Sequence, residues 1–266
     1  METKVHEVAG YDITEKVREF HINGFAVFDE LISQEKLDRI LDAWAPIRNA
    51  DIERQGENPS RGWGRYNVRV PFNKPFVDPD IFEHPAVVAF LEETLDADYV
   101  WTHFDSNIPL PGTNYQRWHR DGRANLFPGI MTPAPIIGVK FPLVDTNEEN
   151  GSFEVIPCTQ FVTDEMVPRQ NLNSVFGHGD ELNDAYKPIR LNLKKGSLWM
   201  HDGRAFHRGT PNPSDHPRDE LCMAMSRSFM HNDWLHNNTE KHFPRTLWAS
   251  LSEHARQVLR LMRIEN

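Results

Sequence analysis

Two histidines and an aspartate carry the most specific chemical signal in this chain. His119 and Asp121 stand two positions apart, and His207 follows far downstream. Two neutral imidazole nitrogens and one anionic oxygen on a single face form the ligand set that non-haem Fe(II) oxygenases use, with three positions left open. These residue types therefore predict an iron site with room for further ligands.

The His-x-Asp triplet is not specific by itself, because the sequence contains three of them. The other two are His103–Asp105 and His231–Asp233. The last triplet lies too near the end of the chain to leave further sheet for a third ligand. His103–Asp105 falls inside a predicted strand, where alternate residues share one face. We therefore place the metal at His119–Asp121 and expect His103–Asp105 to contact substrate or to pack.

The third ligand has two candidates. His201 lies inside a predicted strand, whereas His207 follows that strand and a glycine turn and precedes Gly209. A side chain just beyond a strand is better placed to meet a ligand from another segment of the sheet pair. The sequence favours His207, with His201 as its rival.

Arg218 adds a second chemical signal shortly after His207. A guanidinium forms paired hydrogen bonds to a carboxylate, so an arginine beside the metal strand can hold the far end of a dicarboxylate co-substrate. Taken alone, such an arginine is more often a surface charge. Together with the three metal-ligand candidates, it favours an oxygenase that uses a keto diacid.

Helices and one strand are predicted before these residues. Apolar spacing indicates a helix through Phe20, and Phe25–Phe28 reads as a strand after Gly24. Ser33 can cap a second helix, which we expect to end by Pro46, and Pro85 begins a third. The segment 48–79 is rich in Gly, Pro, Asn and Arg, and it is a candidate lid loop.

The middle of the chain is predicted to be rich in β-strands, and a helix should end it. Short β-branched and aromatic runs bounded by turn residues are typical of a sandwich or a double-sheet barrel. The predicted strands are 99–107, 136–143, 152–156, 188–193, 197–201 and 221–229, and the predicted terminal helix is 245–262.

Composition limits the class of protein. The 266 residues show no compositional break, so we expect a single domain over 1–266. A formal charge of −10 disfavours a nucleic-acid partner. No apolar run indicates a signal peptide or a membrane span, so we expect a cytoplasmic protein. Cys158 and Cys222 are far apart and are predicted to be buried thiols rather than a disulfide or a zinc site.

Substrate contacts are expected on the strand before the ligands, on the loop after them and in the candidate lid. A mixture of aromatic, amide and charged groups suits a polar or amphipathic small molecule better than a long acyl chain. The candidates are Trp101, His103, Asp105, Asn107, Arg123, Asn125, Phe127, Arg65 and Arg69.

Four segments resemble the phytanoyl-CoA dioxygenase (PhyH) family of Fe(II)/2-oxoglutarate-dependent oxygenases. Their order and separation are more specific than any single triplet. They are Phe20–Phe25, Gln116–Asp121, Asp145–Ser152, and Gly196–Leu198 continuing to His207–Gly209 and Arg218.

The resemblance implies a mainly β fold with flanking helices, a double-stranded β-helix of the jelly-roll, cupin-like type. It implies that His119, Asp121 and His207 bind iron and that Arg218 binds 2-oxoglutarate. Some members carry a hydroxyl residue where this chain has Gly209, and Thr210 or Gln116 are candidates to replace that contact.

The chemistry implied by the resemblance is oxidative decarboxylation of 2-oxoglutarate by O2 to succinate and CO2, coupled to oxidation of a substrate C–H bond. The expected outcome is hydroxylation. Because Asp121 supplies the carboxylate that related halogenases lack, halogenation is disfavoured.

Two other classes remain open from the sequence. A His/Asp/His site can also activate water in a zinc hydrolase, although that function gives Arg218 no role. A jelly-roll binding module without catalysis is the non-enzymatic alternative. The intact set of three ligand candidates argues against it.

Overall fold

The computed structural model describes residues 6–57, 59, 62–122, 132–163, 186–230 and 242–265. The predictions for Arg123, Asn125 and Phe127 lie outside these ranges. The strands are β1 (Glu7–Val8), β2 (Tyr11–Asp12), β3 (Phe25–Phe28), β4 (Arg65–Tyr66), β5 (Val100–Pro109), β6 (Ile136–Pro142), β7 (Phe153–Val155), β8 (Ile189–Leu191), β9 (Leu198–Asp202), β10 (His207–Arg208), β11 (Glu220–Ser226), β12 (His242–Phe243) and β13 (Arg263–Ile264). The helices are α1 (Ile13–Asn23), α2 (Gln34–Gln55), α3 (Pro79–Phe82), α4 (Pro85–Leu95), α5 (Arg245–Ser250) and α6 (Glu253–Val258).

A six-stranded antiparallel sheet forms the larger layer, in the order β3-β9-β6-β11-β5-β4. Because side chains alternate between the two faces of a strand, each strand contributes to two environments. One face joins the main hydrophobic core, to which β11 contributes Leu221, Met223 and Met225. The opposite face looks toward a second, smaller sheet.

The smaller sheet has the order β10-β7-β8 and is also antiparallel. A separate apolar cluster packs between the two layers and includes Phe25, Phe153, Leu191 and Trp199. Two facing antiparallel sheets with helices on the outer side are the predicted jelly-roll arrangement, and that prediction is confirmed.

The helices pack against the outer face of the larger sheet. Helix α1 ends at Gly24, which adopts a left-handed conformation with φ 84°, and the chain enters β3 directly afterwards. Helix α2 begins with the predicted cap, since the side chain of Ser33 accepts from Lys36 N. None of the helices in the described ranges is long and apolar enough to cross a membrane.

The prediction that α2 ends by Pro46 is wrong, because the helix continues to Gln55. Tertiary contacts on both sides of the proline outweigh its missing N–H: Trp44 Nε1 donates to Asp219 Oδ1, and Arg48 forms an ion pair with the same carboxylate. Residues 48–55 therefore belong to a helix rather than to an irregular segment. The remainder of 48–79 keeps its lid function as a prediction.

Two further predictions need correction. The terminal helix is split into α5 and α6, because Ser252 caps a new helix by accepting from Ala255 N. Cys222 is buried as predicted, but Cys158 is exposed, since it occupies a tight turn with φ 65°.

Candidate active site

A backbone bridge holds the two ligand histidines side by side. His119 N donates to His207 O at 3.1 Å, and His207 N donates to His119 O at 3.0 Å. This antiparallel pair extends the smaller sheet beyond β10, and the two imidazole rings lie 4.4 Å apart. His119 in its predicted loop and His207 at its predicted position beyond β9 therefore bring their imidazole rings to the same point.

Asp121 is fixed by the turn that follows β9. Asp121 N and Gly122 N both donate to Gly203 O, at 2.9 and 3.0 Å. The carboxylate consequently faces both histidines: Oδ1 lies 3.9 Å from His119 Nε2, and Oδ2 lies 3.4 Å from His207 Nε2.

The three side chains fit a divalent metal ion. Their ligand atoms all lie within 4.8 Å of one another, and they are the one such group found among the described residues. His119 Nδ1 bonds Arg117 O and His207 Nδ1 bonds Ala205 O. These bonds set the tautomer that leaves each Nε2 lone pair directed at the centre.

Ionisation suits metal binding as well. Burial lowers the pKa of His119 to about 3, so this imidazole is neutral at physiological pH. Burial opposes ionisation of Asp121, yet His207, Lys140 and His201 around it hold its pKa well below the usual range. A neutral nitrogen donor and an anionic oxygen are the forms that coordinate a metal.

His201, the rival ligand, lies next to the cluster rather than in it. Its ring stacks on Trp199 at 4.6 Å. Its Nε2 is 3.5 Å from Asp121 Oδ2 and has no hydrogen-bond partner among the described residues. The space for this ring exists because residue 138 is glycine, since a Cβ there would overlap the imidazole. His201 is thus placed to support the carboxylate of Asp121.

Lys140 is a site residue that the sequence reasoning missed. Its ammonium is buried between the rings of Phe153 and Trp199, 3.3 Å from His207 Nε2 and 3.7 Å from Asp121 Oδ2. A single lysine inside the apolar run of β6 was the signal available, because lysine is almost never fully buried without a partner.

Arg218 lies at the other end of the space between the sheets and has no exposed surface. Its Nη1 donates to Glu220 Oε2 at 2.9 Å, while its Nε and Nη2 have no partner in the part of the chain that the structure describes. Unpaired buried donors cost free energy unless a ligand satisfies them. The free edge of this guanidinium therefore fits the carboxylate of a dicarboxylate co-substrate.

The candidates for the contact missing at Gly209 lie beside it. Gln116 Oε1 accepts from Gly209 N at 2.8 Å, and Thr210 Oγ1 donates to Ser152 O at 2.7 Å. Both side chains brace the backbone here. Their contact with 2-oxoglutarate stays a prediction.

His103 and Asp105 share the face of β5 that looks toward the metal ligands. His103 Nε2 and Asp105 Oδ2 are 2.6 Å apart, and Asn67 Nδ2 donates to the same oxygen at 2.5 Å. Asp105 on β5 pairs with Cys222 on the neighbouring strand β11, and Cys222 pairs on its other side with Lys140 on β6. This row of residues connects the polar group on β5 to the metal ligands.

The other substrate candidates are placed differently. Trp101 is fully buried in the main core beside Phe72, so its proposed substrate contact is wrong. The pairing of β5 with β11 shifts between Ala224 and Met225, where Thr102 is an extra residue on β5, so Trp101 pairs with Met225 and faces the main core. Among the remaining substrate candidates, Asn107 is half-buried opposite Glu220, Arg69 is exposed, and Arg65 is buried.

Solved structures with the same fold are distant in sequence. The epimerase SnoN from nogalamycin biosynthesis, a non-haem α-ketoglutarate-dependent enzyme, is 16% identical over 81% of this chain and 83% of its own, with a TM-score of 0.60. The carbocyclase SnoK of the same biosynthesis is 15% identical over 80% and 83%, with a TM-score of 0.61. AviO1 from Streptomyces viridochromogenes is 16% identical over 83% and 97%, with a TM-score of 0.59.

The family model for phytanoyl-CoA dioxygenase (PhyH) matches residues 20–219, which include all three ligand candidates and Arg218 itself. The chain therefore belongs to the phytanoyl-CoA dioxygenase family and is an Fe(II)- and 2-oxoglutarate-dependent oxygenase that consumes O2.

Proposed function

We propose that this chain hydroxylates a C–H bond of a polar small molecule or natural-product intermediate, with iron held by His119, Asp121 and His207. The convergence of these three side chains around one point, with Phe153 packed beside both His207 and Arg218, is the observation that carries the proposal. It favours an oxygenase over a zinc hydrolase or a binding module, because neither alternative uses a buried guanidinium with two unpaired donors.

The chain's own residues bind and orient. Arg218 holds the distal carboxylate of 2-oxoglutarate and so fixes the direction of its keto acid end, which lowers the entropic barrier to reaction. Phe153 packs under both Arg218 and Lys140, with each cation 4.8 Å from its ring, and excludes water from the space between them. Bound iron supplies the activation of O2, and the protein positions and shields the reactants.

A polar substrate is favoured by the side chains near the ligands. His103, Asp105 and Asn67 offer hydrogen-bonding groups on the sheet face that leads to Lys140. A cavity of about 430 Å³ adjoins Asn67 between the end of α2 and the segment 67–69, and Arg69 lines it. Natural-product enzymes share the fold, and SnoN is known in complex with Fe3+, α-ketoglutarate and a nogalamycin compound.

Anaerobic titration tests the assignment. The protein loaded with Fe(II) should develop the visible charge-transfer band of a chelated keto acid when 2-oxoglutarate is added. His207→Ala should abolish this band because one of three protein ligands is lost. His216→Ala is the matched control, since the side chain of His216 is 83% exposed. An unchanged band in His207→Ala would refute the ligand assignment.

The reaction itself is tested by screening polar metabolites for succinate release and for a product that has gained one oxygen atom. Succinate release coupled to a product without added oxygen would replace hydroxylation by another oxidation. The expectation of a cytoplasmic location stays a prediction.

A further inference from the structure

Two buried arginines at one end of the space between the sheets carry three unpaired nitrogen atoms. Among the described residues, fully buried Arg218 has no partner for Nε and Nη2, and Arg65, which is 3% exposed, has none for Nη1. Buried guanidinium donors are normally satisfied, so three free ones in one place indicate a missing acceptor.

The position of Arg65 is fixed by the backbone around it. Its Nε donates to Asn114 O at 2.9 Å, and its Nη2 donates to both Asn114 O and Thr210 O. These bonds leave Nη1 as the free corner of a rigid planar group, so little entropy remains to be lost when a ligand binds it.

Gly209 makes room for that corner. A Cβ at residue 209 would overlap Arg65 Nη1 and would also lie 2.7 Å from Gln116 Oε1. The space that a side chain would occupy two residues after His207 is therefore taken by the guanidinium of Arg65.

The charges at this end of the site do not balance. Arg218 pairs with Glu220, but Arg65 forms no ion pair with any residue in the described ranges. Burial lowers the pKa of Arg65 to about 9, with a contribution from the positive charge of Arg218. Arg65 therefore stays protonated at neutral pH, and the two guanidinium groups share one carboxylate, that of Glu220, among the described residues.

We propose that Arg65 is a second clamp for the C5 carboxylate of 2-oxoglutarate, acting together with Arg218 and replacing the hydroxyl group that Gly209 lacks. This inference rests on the proposed function, since it assumes that the keto acid end binds at the iron. It moves Arg65 from the substrate candidates to the co-substrate site. One carboxylate would satisfy free donors on both arginines and supply the missing negative charge.

The test compares two keto acids on the Fe(II)-loaded protein under anaerobic conditions. One is 2-oxoglutarate, and the other is 2-oxopentanoate, which has the same chain length without the C5 carboxylate. Arg65→Gln should raise the Kd of 2-oxoglutarate roughly ten- to a hundredfold, as expected when a charged hydrogen bond is lost. The Kd of 2-oxopentanoate should stay the same, because that ligand offers nothing for Arg65 to bind.

Arg18→Gln is the control for a changed net charge, since Arg18 is 67% exposed on α1. Equal losses of affinity for both keto acids would mean that Arg65 only supports the structure of the site. An unchanged Kd for 2-oxoglutarate would mean that Arg65 does not contribute to binding this ligand. Either result overturns the proposal. If Arg65→Gln does not fold, Arg65→Lys decides by the same comparison, because it keeps the charge and loses the planar fork. Absence of the band in the wild-type protein would instead refute the proposed function.

Discussion

Glu220 offers a test in which stability and co-substrate affinity should move in opposite directions. Its carboxylate is 1% exposed and accepts from Arg218 Nη1 at 2.9 Å and from Trp199 Nε1 at 2.8 Å. In Glu220→Gln the amide has only one oxygen for these two donors, so its NH2 must face a donor in either orientation. Removing the charge also leaves Arg218 uncompensated.

The cost to the ligand-free protein can be estimated from these contacts. An unsatisfied buried donor costs about 1–3 kcal/mol, and removing one partner of a buried ion pair costs about 3–5 kcal/mol. Because glutamine retains one acceptor, we expect the free energy of unfolding to fall by about 3 kcal/mol.

The affinity for 2-oxoglutarate should rise instead. A co-substrate carboxylate on the free edge of Arg218 would lie roughly 5 Å from the carboxylate of Glu220, where two negative charges repel by about 3 kcal/mol at an effective dielectric constant of about 20. Solvation and reordering offset part of this gain. We expect a decrease in Kd of about tenfold, or about 1.4 kcal/mol.

Urea unfolding and anaerobic titration measure the two effects separately. Ligand at about 100 times its Kd adds about 2.7 kcal/mol to stability, so the deficit of Glu220→Gln should shrink when 2-oxoglutarate is present at a fixed concentration. Glu154→Gln is the matched control: this half-buried carboxylate pairs with Arg208 and Arg190, and its loss should cost stability without changing the Kd. If Glu220→Gln weakens 2-oxoglutarate binding, Glu220 orients Arg218 and the charge argument is refuted.

Two other changes test how turns and caps support the site. Gly151 has φ 85°, and a Cβ there would lie 2.9–3.0 Å from the carbonyl oxygens of residues 210–211. Gly151→Ala should therefore lower the free energy of unfolding, measured by urea titration, by about 2 kcal/mol or more. An unchanged urea midpoint would contradict this. Burial lowers the pKa of His84 below its usual 6.5, and its neutral Nδ1 caps α4. The contribution of His84 to folding stability is therefore full above pH 6.5 and is lost as the pH falls below that value. His84→Ser keeps a cap that does not titrate, so it should reduce the loss of stability between about pH 7 and pH 5. Equal pH dependence in the two proteins would exclude His84 as the cause.

Much of the architecture follows from local patterns that the tertiary structure does not override. The cap at Ser33, the left-handed end of α1 at Gly24 and the β-branched run of β6 all act within a few residues. The ligand positions were predictable for a related reason. A His-x-Asp pair at a loop start and a histidine after a strand and a turn are local features, and only their convergence needs the fold.

The errors arise where long-range contacts or a single irregularity decide the outcome. Pro46 should end a helix, but the anchoring of Trp44 and Arg48 to Asp219 carries α2 past it. Trp101 should share a face with His103, but the extra residue Thr102 shifts the pairing of β5 with β11 and turns Trp101 to the other face. No periodicity within β5 itself contains that information, because the shift belongs to the pairing of two strands.

The residues that we propose for the co-substrate end of the site come from three remote segments, and this explains why the sequence did not group them. Arg65 arrives on the edge strand β4, and Arg218 and Glu220 arrive at the start of β11, while Gly209 matters only because it has no side chain. An absent side chain is informative only once something is seen to fill its space. Here the filling group is a fixed cation, and with Arg218 it produces a local excess of positive charge in a protein whose net charge is −10. A ligand that brings a carboxylate to this end is what such a site selects, because a molecule without one would leave that charge buried without compensation.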